Sequence, residues 1–235
     1  MSIKGIFPID KWNFKSESVL ANLPEKEYEI LTFGNTERNY KKGEIIFKEG
    51  QFANGIFFIN SGKVKKYKLD PDRKEYIIYV ANTGELIGYH TILSEDHYPD
   101  SAAALEESNI MFIPRNSFLE ALQESDTLNK RLLKTLSHEF AVLSNSLSLF
   151  AQKSVRERLA LQLIVIREKY KVNFEPGMSV EIDMSREDLA SLVGTARENV
   201  VRFLSEFKSK GIIETKGRKI LVLNIGRLIE IANYK

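Results

Sequence analysis

The chain contains no cysteine. That excludes disulfides, thiolate-bound iron–sulfur clusters, cysteine-ligated zinc and thiol redox sensing. Histidine is scarce: His90, His97 and His138 are scattered and match no metal-ligand spacing, so neither a metal nor haem is expected. No apolar run approaches the roughly 18 residues that span a bilayer. Residues 1 to 13 lack the basic-then-apolar order of a signal peptide. A cytoplasmic chain with no membrane partner is the expectation. Nucleophile–base pairs and phosphate-cradling glycine loops are missing too, so no catalytic residues are assigned and no enzyme is expected. Asp183 and Glu187 flank Arg186, but acids are favoured at a helix start whatever the function.

What is present is an ordinary globular composition with an uneven charge. The 235 residues are 43% hydrophobic and carry a net charge of +2. From Ser154 onward there are 15 Lys and Arg against 11 Asp and Glu, a net +4; residues 1 to 153 carry 19 against 21, a net −2. A basic C-terminal third suits nucleic acid, and a solvated surface explains so small an excess equally well.

Hydrophobic periodicity divides the chain into 1–124, 125–153 and 154–235. Residues 35 to 115 alternate short β-rich runs with turn residues. The runs are Glu44 to Phe47, Gly55 to Ile59, Val64 to Leu69, Tyr76 to Val80 and Asn109 to Ile113. Strands at this spacing predict a small sandwich or barrel. Residues 16 to 33 read as a helix capping it.

Then the period changes. Leu133, Leu136, Phe140, Leu143, Leu147 and Phe150 are spaced three and four apart, a heptad seam on one long helix beginning near Ser125. Leu132, Val142 and Leu149 widen the stripe. Such a helix can pack on its own barrel, on a twin in a homodimer, or on both. Ala151 to Ser154 reads as a hinge, Val155 to Lys169 as a second helix, Pro176-Gly177 as a break and Val180 to Ile182 as a strand.

Ser185 then opens a short helix as its N-cap, with Asp188 three residues on in a near capping box. Leu189, Leu192 and Val193 supply its buried face. Gly194 permits a left-handed turn. A second helix starts near Thr195, with Val200, Phe203, Leu204 and Phe207 as its apolar stripe, and ends at Gly211. Two helices about a glycine turn make a helix-turn-helix. Ile212 to Glu214 and Ile220 to Leu223 flank a tip, Thr215 to Lys219, and form a wing. Its cations Lys216, Arg218 and Lys219 suit DNA phosphate, or simply solvent. Arg197, Glu198 and Arg202 face outward near the second helix's N-terminus. Arginine can donate twice to guanine and glutamate can accept from cytosine. Glu198 and Arg202 could equally form a surface ion pair.

These motifs resemble the cyclic-AMP receptor protein / Fnr (Crp-Fnr) superfamily of bacterial regulators, over roughly residues 15 to 225. The most specific stretch runs from Met184 to Leu204; Lys42 to Gly50, Ile59 to Val64 and Gly84 to Gly88 match the family's β-roll. The resemblance implies an α+β fold with an N-terminal cyclic-nucleotide-binding-type β-roll (jelly-roll), a long dimerisation helix and a C-terminal winged helix-turn-helix. It implies a homodimeric transcription factor on palindromic double-stranded DNA, with RNA polymerase as a partner. By position, Arg197, Glu198 and Arg202 would read TGTGA-like half-sites, and Ser185, Arg186 and Thr195 would touch phosphate. Gly84, Glu85, Leu86, Ile87, Gly88, Asp100, Ser101 and Ala102 would line an effector pocket.

The pocket departs from the family. Where cyclic-AMP binders carry Arg-Ser or Arg-Thr, this chain has Asp100-Ser101. No Lys or Arg lies between Lys74 and Arg115, whereas Glu75, Glu85, Glu95, Asp96, Asp100, Glu106 and Glu107 do. An anionic phosphate would lack a charge-assisted partner there, unless Lys130, Arg131 or Lys134 of the long helix supplied one. Cyclic AMP is therefore not expected as effector, and the expected small-molecule effector is unknown. Glu85 could meet a ribose hydroxyl or only solvent. A factor without any effector, and a sensor module that no longer reads DNA, are the rival readings.

Overall fold

The structure, a computed structural model, describes residues 3, 6–12, 19–94, 96–171 and 179–233. These fall into two compact units, 15–138 and 1–14 together with 139–235. Pro176, Gly177 and Glu95 lie outside the described residues.

The first unit is a roll of two antiparallel sheets. One has strand order β1 (Thr36–Tyr40), β8 (Ser108–Pro114), β3 (Gly55–Ser61), β6 (Leu86–Ile87). The other runs β2 (Ile45–Phe47), β7 (Ser101–Ala104), β4 (Lys63–Leu69), β5 (Glu75–Asn82). Val64, Ile56, Ile59, Ile110 and Ile113 are all buried in the core of the roll. Phe47 stacks on Tyr98, ring centroids 4.2 Å apart. The Tyr98 hydroxyl donates to the Gly55 carbonyl at 2.7 Å, and burial pushes its pKa up to about 12.

Two of these strands carry no hydrophobic signal. β1, Thr-Glu-Arg-Asn-Tyr, is exposed at all but Tyr40 and is held through backbone pairing with β8. β7, Ser-Ala-Ala-Ala, is fully buried. Alanine is a poor strand former in isolation, but its small side chain fits between the neighbouring strands β2 and β4.

The helix expected over residues 16 to 33 is shorter. Residues 16 to 18 lie outside the described residues, Val19 to Asn22 are turns, and α1 spans Glu25–Thr32. Pro24 stands at its N-cap with extended backbone, and the helix begins at the next residue. α2 (Tyr89–Leu93) and α3 (Arg115–Glu124) are short helices that the periodicity did not reveal.

α4 is a single helix, Asp126–Gln152, and carries the chain from one unit into the other. Leu128 and Leu132 join the core of the roll, with Leu136 packed at its edge. Val142 and Leu149 are buried in the second unit. Asn145 donates to the Lys11 carbonyl there, at 3.1 Å.

The second unit continues with α5 (Val155–Lys169), β9 (Glu181–Asp183), α6 (Arg186–Val193), α7 (Arg197–Ser209), β10 (Ile213–Lys216), β11 (Lys219–Val222) and α8 (Ile225–Ala232). The Ser154 side chain accepts from the Glu157 amide, while Glu157 returns the bond to the Ser154 amide, a full capping box for α5. β10, β11 and β9 form one antiparallel sheet. α8 was not anticipated. It begins at Asn224, whose side chain accepts from the Arg227 amide, and it packs on α5 through buried Leu228.

Gly62 joins β3 to β4 at φ +94°. A Cβ there would lie 2.7 Å from the Glu107 carbonyl oxygen and closer still to the Ser108 hydroxyl. Gly62→Ala should therefore lower stability by more than the roughly 1–2 kcal/mol of left-handed strain alone. Chemical denaturation checks this; a midpoint equal to wild type would mean the turn relaxes freely.

Candidate DNA interface and effector site

The helix-turn-helix is assembled from its caps. Ser185 Oγ accepts from the Asp188 amide at 2.9 Å and donates to the Asp188 carboxylate at 2.7 Å. Gly194 closes α6 at φ +67°, and the Thr195 amide bonds the Ala190 carbonyl. Leu189, Leu192 and Val193 of α6 and Val200, Leu204 and Phe207 of α7 are buried as the periodicity predicts. α7 starts two residues later than expected, at Arg197, with Ala196 as an N-cap lacking any side-chain bond.

Arg158 of α5, which no sequence motif singled out, ties this assembly together. Its guanidinium donates to Val193 O at 3.0 Å, Gly194 O at 3.1 Å and Lys153 O at 2.9 Å. The first two are carbonyls left open where α6 ends, and the third closes the junction between α4 and α5. Arg156, also on α5, pairs with Glu206 of α7 at 2.9 Å. Arg156 and Lys210 together hold the Glu206 carboxyl down to about 2.

Arg197, Glu198 and Arg202 are all exposed. Arg197 rests against Glu187 at 2.5 Å. Arg202 donates to Asn199 Oδ1 at 3.1 Å and lies over the Phe203 ring. Its alternative pairing with Glu198 is therefore replaced by contacts to Asn199 and Phe203, both nearer along the helix.

The six phosphate candidates occupy varied settings. Ser185 is spent on its cap, and Thr195 Oγ1 accepts from Asn199 at 3.1 Å. Arg186 donates to the Gly217 and Arg218 carbonyls at 3.1 and 3.0 Å, gripping the wing's turn. Arg218 pairs with Asp183 at 2.7 Å and Lys219 with Glu181 at 2.7 Å. Lys216 is exposed at the wing tip.

In the roll, Gly84 and Gly88 both adopt left-handed backbone. Between them Leu86 and Ile87 are buried and pair with Phe58 and Phe57. Glu85 is not a solvent loop carboxylate: it is 7% exposed and accepts the Tyr79 hydroxyl. Asp100 is 3% exposed and Ala102 is fully buried. Ser101 Oγ accepts from the Glu49 amide at 3.0 Å.

One expectation about charge is corrected. The stretch between Lys74 and Arg115 lacks cations, but the sheet brings three to it from β4: Lys63 pairs with Glu106, Lys65 with Glu75 and Lys66 with Asp100. Lys66 sits across from Ala102 on β7 and Tyr79 on β5, and its Nζ lies 3.0 Å from Asp100 Oδ2. Both side chains are almost wholly buried. Burial raises the Asp100 carboxyl more than Lys66 lowers it. Burial and the Lys66 charge push His90 down to about 3, so it is neutral at pH 7. The long-helix cations take other roles: Arg131 donates to Val19 O at 3.1 Å and Asn22 O at 3.3 Å, while Lys130 and Lys134 are exposed.

The seam on α4 divides. Leu133, Phe140, Leu143 and Leu147 are exposed, at 65%, 75%, 46% and 74%. Leu136 and Phe150 are half-buried. Arg158 lies over the Phe150 ring. No described helix is long and apolar enough to cross a membrane.

Comparison with known proteins agrees with this architecture. The family model of the cyclic nucleotide-binding domain matches residues 37–125, and that of the Crp-like helix-turn-helix domain matches residues 157–231. The chain is 27% identical to the transcriptional activator protein anr of Pseudomonas aeruginosa, over 83% of this chain and 80% of that protein. It is 25% identical to a CRP-like cAMP-activated global transcriptional regulator of Mycobacterium tuberculosis, over 81% and 85%. The solved structure of FixK2 from Bradyrhizobium japonicum shares the fold, with a TM-score of 0.75, 24% identity and coverage of 86% of this chain and 98% of that one. The first two are named as regulators of transcription, which are not enzymes. With a cyclic nucleotide-binding roll in its first half and a Crp-like helix-turn-helix in its second, the chain belongs to the Crp-Fnr superfamily of transcriptional regulators.

Proposed function

We propose that this regulator works in the cytoplasm as a homodimer that reads an inverted repeat of TGTGA-like half-sites, with RNA polymerase as its partner. The observation that carries the reading is the outward face of α7. Arg197, Glu198 and Arg202 are exposed there while Val200, Leu204 and Phe207 anchor the opposite face. Bidentate donors and a carboxylate acceptor at the start of such a helix are the groups that distinguish base pairs in the major groove. Lys216, Thr195 and the amide end of α6 at Ser185 would meet phosphate. Arg218 and Lys219 would do so by exchanging Asp183 and Glu181 for it, and Arg186 by releasing the wing.

The dimer rests on α4. Four large apolar side chains at heptad spacing stand in solvent, a surface that a twin helix would cover. The effector site would be the inner face around Gly84 to Gly88 and Asp100 to Ala102. Its effector would not be cyclic AMP, because the cation in reach, Lys66, is already neutralised by Asp100. The same ion pair, with Glu85 satisfied by Tyr79, favours a second reading in which the roll needs no effector.

Three outcomes are expected. Arg197→Ala should cost roughly 1–3 kcal/mol on the cognate duplex and relax preference at one base pair; competition with single-mismatch duplexes reads this, and undiminished discrimination refutes the assignment. Phe140→Glu should split the dimer by placing like charges face to face in the seam, seen as a halved mass in sedimentation. Saturating cyclic AMP should leave anisotropy titrations of a labelled inverted repeat unchanged, with half-site centres about one helical turn apart. A sharp tightening would show that Lys66 leaves Asp100 for the ligand.

A further inference from the structure

α7 carries one residue that its surface chemistry does not explain. Val201 is 40% exposed. The other exposed residues of this helix, Arg197, Glu198, Arg202, Ser205, Lys208 and Ser209, are all polar or charged. A valine this exposed leaves much of its apolar surface in solvent, and its branched Cβ makes it a weaker helix former than alanine or the straight-chain residues.

Its place in the helix supplies a reason. At about 100° per residue, Val201 lies one turn beyond Arg197 and between Arg197 and Glu198 in projection. The buried stripe of Val200, Leu204 and Phe207 begins about 60° round from it, so Val201 stands at the edge of the exposed face nearest the stripe. Val201 is thus in the first turn and a half of α7, among the three residues that face the bases.

Base edges in the major groove are hydrogen-bond donors and acceptors, with one apolar exception, the C5-methyl group of thymine. We infer that Val201 packs against a thymine methyl in each half-site and is a specificity-determining residue beside Arg197, Glu198 and Arg202. The inference rests on the DNA-reading role proposed above for α7. It adds a base identity that those three polar residues do not set. Arginine and glutamate address guanine and cytosine; the valine addresses thymine through shape and hydrophobicity alone.

Deoxyuridine differs from thymine only by that methyl, so it isolates the contact. The full-length protein is first used to select its site from a pool of randomised inverted repeats. Each thymine of the selected site is then replaced by deoxyuridine, one half-site position at a time, and affinities are compared. One thymine per half-site should respond, with binding weakened about fourfold, the equivalent of burying one methyl group. Val201→Ala should bind thymine and deoxyuridine duplexes with nearly equal affinity while keeping its discrimination at the base pair assigned to Arg197. Val201→Thr, which retains one methyl, should keep part of the fourfold difference. A selected site at which no thymine responds in the wild type, or a response that survives in Val201→Ala, overturns the inference while leaving α7 as the DNA reader. Failure of the selection to enrich any sequence overturns the DNA reading itself and the valine contact with it.

Discussion

A helix can present one face to DNA only if its other face is anchored, and every exposed group on α7 depends on that anchorage. Val200, Leu204 and Phe207 are buried beneath it. Gly194 allows α6 to end within a single residue and hand the chain to α7 at a fixed angle. Arg158 then satisfies the carbonyls of Val193 and Gly194 from α5, so the turn leaves no open acceptor of theirs. A second tie, Arg156 to Glu206, fixes α7 near its far end. The wing is held in turn by Arg186, whose guanidinium bridges the backbone of its turn. Cations in this domain therefore do two jobs: some hold the scaffold and others remain on its surface.

The same division of labour appears along α4. Its heptad pattern contains two stripes of different fate. Leu128, Leu132, Val142 and Leu149 are buried within the chain, whereas Leu133, Phe140, Leu143 and Leu147 are exposed. One helix face belongs to the fold of a single copy; the neighbouring face has the size and spacing of a coiled-coil seam.

The roll shows how an architecture shared with other proteins accommodates its own chemistry. Its inner surface near β7 is lined by alanines, with several polar groups paired beside them. Lys66 meets Asp100, Tyr79 meets Glu85, and His90 is held neutral by burial beside the Lys66 charge. A buried charge without a partner is costly, so two opposite charges are retained together.

Much of this was legible in the residues. Strand-length runs punctuated by glycine and Asp-Pro, the switch to a heptad period, the capping serines and the Gly194 turn are local signals. Each acts through backbone geometry or helix-face chemistry within a few residues. The exposed trio on α7 followed from the same register. What stayed hidden is non-local. β1 and β7 lack a hydrophobic pattern, because one is an edge strand held by backbone bonds and the other an alanine strand between two neighbours. Lys66 is 34 residues from Asp100 in the chain and 3.0 Å from it across the sheet. Arg158 reaches carbonyls 35 and 36 residues away. The linear sequence by itself determined the hydrophobic strands of the roll, the long helix, and the helix-turn-helix with its wing and exposed polar face. Only the tertiary structure decided which cations hold the scaffold, which acids neutralise them and which apolar groups of the long helix remain exposed, because strand pairing and helix packing select contacts that chain distance does not encode.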